Sequence, residues 1–302
     1  MEIKISRLGF GAWQLGNNQD WGNMDETSAI ALVQEAYKEG INFFDTAPHY
    51  AGGKSEEYLG KAVKKFRDKI YINSKIDYDD NGTGDHSLGA IERSVRGSLK
   101  RLQTTYLDSV LLHNPPMYVL EGKTEDFSEL EKLKDMGIIR AYGASIDTRE
   151  EVKAILENKQ IGVIELLYNV FFQSCRDLLP EIHKRGIILI IKVPLDSGWL
   201  SGKYSIDSSF SGIRSRWSKE IIERRGALVS KLVSITKDPS LTKYAMGFLW
   251  SYPEITTVIP GIKNMQQLHE HLEARKFVFA GAMKRQFEII YDQQISHNPL
   301  PW

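Results

Sequence analysis

Ile41–Tyr50 reads INFFDTAPHY. The stretch opens on an apolar, strand-favouring run from Ile41 to Phe44. It breaks at Asp45, Thr46, Ala47 and Pro48, just before His49 and Tyr50. A short apolar run that ends in an acid and a proline predicts a buried strand emptying into a functional loop.

Working outward, the same plan repeats. Upstream, Asp25–Gly40 predicts a helix, with Asp25 or Thr27 at its front, Gly40 at its back and apolar residues at 29, 32, 33 and 36. Before it, LGFGAWQLG at 8–16 predicts a short strand leaving into a loop. Its glycines do not make a GxGxxG phosphate loop, because the third comes too late. Downstream, SEEYLGKAVKKF predicts a helix capped by Ser55. Strand IYINSK at 70–75 ends at Lys75, and the polar loop YDDNGTGDHS leads to a helix at Leu88–Leu102. LDSVLLH ends at His113, IIRAYGAS at Ser145, VIELLYN carries Glu165 and Asn169, and IILIIKVP ends at Pro194. Helices are expected between them at 127–136, 148–158 and 175–185. A polar excursion at 196–218 interrupts the rhythm. Helical stretches at 219–237 and 240–251, the run TTVIPG ending at Pro260, and helices at 264–274 and 281–291 follow.

Eight strand candidates, each followed by helical pattern roughly every 25–35 residues save one insertion, imply parallel pairing with right-handed crossovers. Within 302 residues this predicts a single α/β domain over 1–302, a closed (β/α)8 TIM barrel. In such a barrel the chemistry gathers at the C-terminal ends of the strands. Here those ends bring an acid, an amine and an imidazole from three consecutive strands, Asp45, Lys75 and His113, with the Tyr50 phenol nearby.

Composition narrows the partners. Lys+Arg and Asp+Glu are both 39, so the balanced charge gives no argument for nucleic acid or a membrane surface. The single cysteine, Cys175, cannot close an internal disulfide, and no run of 18 apolar residues exists. A cytoplasmic location and a small-molecule partner are the expectations; the oligomeric state stays open, with a monomer compatible.

A free phenol has a pKa of about 10 and gives up a proton poorly at neutral pH. A neighbouring ammonium lowers that value. Lys75 supplies the ammonium, Asp45 holds it charged, and His113 orients a carbonyl oxygen towards Tyr50. Protonating the alkoxide that forms as an aldehyde or ketone accepts a hydride requires such a set. No metal is needed for this step, and no cluster of His, Cys and carboxylates at ligand spacing is expected.

Over nearly its full length the chain resembles the aldo-keto reductases. The matching pieces are LGFGAW at 8–13, GINFFDTAPHYAGGKSEEYLG at 40–60, NSK at 73–75, YLDSVLLHNP at 106–115, GIIRAYGAS at 137–145, YN at 168–169, PLDSGWLSGKY at 194–204 and VIPGIKN at 258–264. The resemblance implies carbonyl reduction with NADP, NAD being possible, and Asp45, Tyr50, Lys75 and His113 as a catalytic tetrad with Tyr50 as general acid. It also implies cofactor contacts from Ser145, Glu165, Lys192, Pro194, Leu195, Ser197, Gly198, Gly261, Lys263, Gln267 and Glu270. The chain departs from the family pattern where Ile146 replaces an Asn, Glu165 a Gln, Lys192 an aromatic, Gln267 an Arg and His271 an Asn.

Singly, these residues have plainer readings: Asp45 as a turn residue, Lys75 as a surface lysine, His113 and His49 as loop histidines. Trp21 and Trp199 are read equally as pocket lining or packing. Trp217 and Trp250 are read as structural, and Arg224, Arg225 and Lys231 as a solvated helix face. Two other functions compete: a non-catalytic nicotinamide-binding regulatory protein on the same fold, and a phosphate-handling barrel enzyme.

Overall fold

The computed structural model describes residues 3–78, 89–157 and 161–302. The loop expected after the third strand, and the expected helix limits at 88 and 158, lie outside those residues. Eight strands run in chain order around one sheet: β1 (Phe10–Gly11), β2 (Phe43–Asp45), β3 (Tyr71–Asp77), β4 (Leu107–His113), β5 (Ile139–Ile146), β6 (Val163–Leu167), β7 (Ile188–Lys192) and β8 (Thr257–Val258). Every adjacent pair is parallel. Parallel bridges from Leu8 to Val258 and from Gly11 to Gly261 close the ring. The expected (β/α)8 barrel is the observed one.

Two apolar clusters follow from the alternation of side chains along each strand. Phe43, Tyr71, Leu111, Val163, Ile190 and Ile259 fill the barrel interior. Phe44, Ile72, Val110, Ala144, Ile164 and Leu189 point outward into the larger cluster beneath the helices. The interior turns polar towards the strand C-termini. There Asn73 donates to Asp45 Oδ1 at 2.7 Å and Ser109 donates to Asn73 Oδ1 at 2.5 Å.

Some local expectations change. β3 continues past Lys75 to Asp77, because its pairing with β4 runs on to Asp77 opposite His113. Asp25 caps the helix Glu26–Lys38 by accepting from Ser28 N. Ser55 caps nothing: the next helix spans Lys54–Val63, preceded by Gly53. The Ser55 hydroxyl is buried, donating to Ala12 O at 2.8 Å and bonding Thr46 Oγ1 at 2.9 Å. Its neighbour Glu56, also buried, accepts from Ser74 and Arg101. At Gly60 an added Cβ would lie 2.5 Å from the Leu102 carbonyl oxygen, so this helix packs backbone to backbone on Ala90–Leu102. The stretch Gly53–Gly60, GKSEEYLG, is therefore an anchor that fixes the β2 loop, and its residues stand behind the cavity.

The helix expected at 175–185 divides into a 3-10 turn, Arg176–Leu178, and a helix, Leu179–Lys184. Pro180, in the first turn of that helix, has no N–H to continue the turn before it. Among the described residues no helix is long and apolar enough to cross a membrane.

Candidate active site

The strand C-termini open into a cavity of about 1020 Å³, lined at one end by Trp13, Trp21, His49, Tyr50 and His113 and at the other by Lys263, Gln267, Glu270 and His271. Asp45, Tyr50, His113, Glu165, Lys192, Pro194, Leu195, Ser197, Gly198, Gly261, Lys263, Gln267 and Glu270 all reach its wall. Lys75 and Ser145 stand just behind it, both buried.

Asp45 ends β2 and Lys75 lies on β3. Lys75 Nζ donates to Asp45 Oδ1 at 2.5 Å and to the Thr46 carbonyl at 3.2 Å, and sits 5.5 Å from the centroid of the Tyr50 ring. Glu165, on β6, brings a second buried carboxylate to the same ammonium, at 3.3 Å. Burial alone would lower the Lys75 pKa; Asp45, Glu165 and Tyr50 outweigh it and hold the ammonium charged. Two carboxylates around one cation compete for it. Burial first, and then the charge of Glu165, push Asp45 up to about 7 against the pull of Lys75. Burial also acts to raise Glu165, but Lys75 and then Lys192 prevail and hold it at about 2.

Tyr50 differs from the sequence expectation in sign. Lys75 does pull the phenol down, but burial, aided by Asp45, Glu165 and Asp77, raises it above its ordinary value. The phenol is held protonated at neutral pH. Trp13 lies 6.3 Å from Tyr50 and meets Trp21 edge-on at 5.3 Å, making an aromatic wall beside it.

Lys192 ends β7. Its Nζ lies 2.9 Å from Ser145 Oγ, 3.1 Å from Asn114 Oδ1 and 2.8 Å from Asp147 Oδ1. Ser145 Oγ donates to Glu165 Oε1 at 2.9 Å. Ser145, Glu165 and Lys192 thus form one polar chain, tied to the tetrad through Lys75.

The loop after β7 is strained. Val193, Asp196 and Ser197 all have positive φ, unusual for a β-branched residue at 193. Asn169 Nδ2 donates to the Val193 carbonyl at 2.9 Å, and Asp196 is clasped by Arg225 Nε at 3.0 Å with both side chains fully buried. Arg225 therefore corrects the solvated-face expectation; of the three basic residues only Lys231 is exposed. Arg224 is half-buried and donates to the Gln294 and Asn298 carbonyls. Trp199 lies within a cluster of Tyr204, Phe210 and Trp217 and is wholly buried, so its role is packing, while Trp21 faces the cavity. Burial lifts the Cys175 thiol to about 11, which leaves it a poor nucleophile.

Three further groups join the site. Asp77, beyond the expected end of β3, accepts from His49 Nδ1 at 2.7 Å and His113 Nδ1 at 2.9 Å. The ring nitrogens and carboxylate oxygen of these three residues, far apart in sequence, come within 4.8 Å of one another, which corrects the expectation that His and carboxylates form no cluster at ligand spacing. The inward alternation Asn73, Lys75, Asp77 was the available signal. Arg214, in the excursion, lies 4.8 Å over the Trp21 ring and donates to the Ser197 carbonyl at 3.0 Å. Gln14 packs against Gly261, where an added Cβ would meet its Nε2 at 2.2 Å.

A closed parallel barrel with ionisable groups converging on a deep cavity at its C-terminal mouth is the architecture of a barrel enzyme. A family model described as the Aldo/keto reductase family matches residues 7–292. The chain is 35% identical over 217 residues to aldo-keto reductase YhdN of Bacillus subtilis (strain 168), covering 70% of this chain and 64% of that protein. It is 28% identical over 301 residues to the NADH-specific methylglyoxal reductase of Escherichia coli (strain K12), covering 90% of each. Its fold matches an aldo-keto reductase from Bacillus halodurans, holo form, with TM-score 0.76 and 26% identity, covering 94% of this chain and 91% of that one. The chain belongs to the aldo/keto reductase family.

Proposed function

We propose that this protein reduces a small aldehyde or ketone to an alcohol with NADPH or NADH, Tyr50 serving as the proton donor. The observation that carries the reading is the convergence of Tyr50, His113 and the Asp45-held Lys75 at one end of the cavity. Tyr50 is protonated at rest, which a general acid requires. After it gives up its proton, the phenolate faces the Lys75 ammonium, which stabilises the anion left behind. Asp45 keeps that ammonium aimed, and Trp13 and Trp21 wall the mouth. Protonated His113 offers a second hydrogen bond to the carbonyl oxygen, supporting the charge that builds there.

A nicotinamide dinucleotide bound along the cavity supplies the hydride. The residues fit such a group. Both ring nitrogens of buried His271, and Gln14 Oε1, have no hydrogen-bond partner in the protein and border the cavity. Ser145, Glu165 and Lys192 would meet the carboxamide end, and Pro194, Leu195, Ser197 and Gly198 the diphosphate. Gly261, Lys263, Gln267 and Glu270 would meet the adenosine phosphate. Lys263 gives a 2′-phosphate a cation, which favours NADP; the E. coli relative, named NADH-specific, keeps NAD as the alternative.

Purified protein mixed with either reduced cofactor and a panel of aldehydes should consume the cofactor. Tyr50→Phe should slow turnover by about 10²–10⁴-fold while leaving cofactor binding intact. No binding of either cofactor would overturn the reading. A cellular role that survives Tyr50→Phe unchanged would favour a non-catalytic, regulatory function instead.

A further inference from the structure

We propose that Asp77 is a positioning residue that fixes the tautomer of His113 and, with His49, governs when that ring can donate to a carbonyl oxygen. The proposal rests on the functional reading above and adds a residue to it.

Asp77 closes β3 directly opposite His113 at the end of β4. Its Oδ1 receives both Nδ1 atoms, from His113 at 2.9 Å and from His49 at 2.7 Å, and its Oδ2 receives the His49 backbone N–H at 3.2 Å. The two imidazoles lie nearly parallel, centroids 5.3 Å apart. These separations are those of hydrogen bonds. Ligand atoms around a tetrahedral zinc, with Zn–N of about 2.0–2.1 Å, would stand about 3.3 Å apart.

A carboxylate can only accept, so the His113 proton resides on Nδ1. Burial alone would raise the Asp77 pKa, but the bonds from His113 and His49 hold it well below the usual carboxylate range, so it stays ionised. Neutral His113 then presents a lone pair at Nε2. In that state it can receive a hydrogen from an alcohol but can give none to a carbonyl. To help reduction the ring must take a second proton, at Nε2, and become imidazolium. How well the ring assists reduction at a given pH is thereby tied to its charge.

Several groups bias that charge. From β3, Asp77 favours imidazolium and Lys75 opposes it; from β6, Glu165 favours it; from β7, Lys192 opposes it. His49 and Tyr50, on the β2 loop, complete the ring's surroundings. Burial is the largest influence and lowers the His113 pKa, and the Asp77 hydrogen bond is the principal counterweight. Carbonyl reduction should therefore weaken as pH rises through the His113 titration. In Asp77→Asn that fall should move to lower pH by about one unit or more. kcat should drop by about tenfold or more at neutral pH, with KM for NADPH little changed.

The test pairs two measurements. In wild-type protein, ¹⁵N shifts of the histidine rings should show neutral His113 protonated at Nδ1; protonation at Nε2 overturns the proposal. In Asp77→Asn, a pH–rate profile that keeps its wild-type fall overturns it too, since a merely structural Asp77 would change amplitude alone. The nitrogen shifts need neither cofactor nor substrate. Absence of carbonyl turnover would thus fail the functional reading while the tautomer remains decided on its own, and a variant that does not fold still leaves the wild-type spectrum to decide.

Discussion

Glu165 shows how one residue can alter a shared motif. An amide at this position would leave Asp45 as the sole anion against Lys75. The carboxylate adds a competitor, and Asp45 rises to about 7. A carboxyl whose pKa is raised by folding binds its proton more tightly in the native state. Its contribution is fully present below the ordinary carboxylate range and is lost as pH rises through about 7. Glu165, held down at about 2, is ionised in both states only above about pH 5.5 and adds no slope from there upward. Glu165→Gln should lower the Asp45 pKa and flatten the decline in stability between about pH 5.5 and 7. Urea midpoints measured at intervals over that range check this; parallel wild-type and variant curves would count against the competition. Strand-end chemistry at Asp45, Lys75 and His113 was legible because each closes an apolar run. The contact between Glu165 and Lys75 was not, since it depends on how far β3 and β6 are staggered around the ring. Asp77 lies beyond IYINSK, where the apolar run ends at Lys75, although the period of two carries on through it.

Among elements, the helix Lys219–Thr236 and the loop after β7 depend on each other. Asp196 and Arg225 are both fully buried, and Arg225 also donates to the Pro301 carbonyl at 3.0 Å. Burial raises the Asp196 pKa, with Arg225 opposing it. Arg225→Met leaves an uncompensated carboxyl and should cost about 3–5 kcal/mol, while adding Asp196→Asn should recover part of that. Chemical denaturation of both single variants and the double variant decides it; a double loss equal to the sum of the two single losses would mean the pair is not coupled. The charge-run reading of this helix failed for a local reason. Arg225 stands in the middle of the stripe formed by Ile221, Ile222, Leu228, Val229 and Leu232, and helical periodicity, applied to that residue, places it inward. The divided helix near 180 was likewise visible in Pro180, whose missing donor sets where regular structure can begin.

At the scale of the whole molecule, the barrel carries two ends of one cavity on different strands. The proposed tetrad comes from β2 to β4 and the loop after β2, while the far wall comes from the loop after β8 and the helix Met265–Ala274. The separation lets the two ends be altered independently. Lys263→Ala should weaken NADPH by about tenfold, roughly 1.4 kcal/mol, and NADH much less. Fluorescence titration with both cofactors checks it, and equal weakening would remove Lys263 from phosphate recognition. The fold itself was readable from the recurrence of apolar run, polar stop and amphipathic helix. The cavity's shape was not, because β1 and β8 are two residues each and the wall there is made by loops.

The bare-backbone contact at Gly60 has a consequence for how this protein could change. With no side chain between the backbones at Gly60 and Leu102, the two helices have no cushion to compress at that point, and the β2 loop ahead of them is seated on rigid ground. Variation that admits a bulkier or differently shaped molecule must then come from the rim, where Trp21 and the 196–218 excursion stand, and a library selected for new specificities should accumulate its changes there while leaving the floor intact.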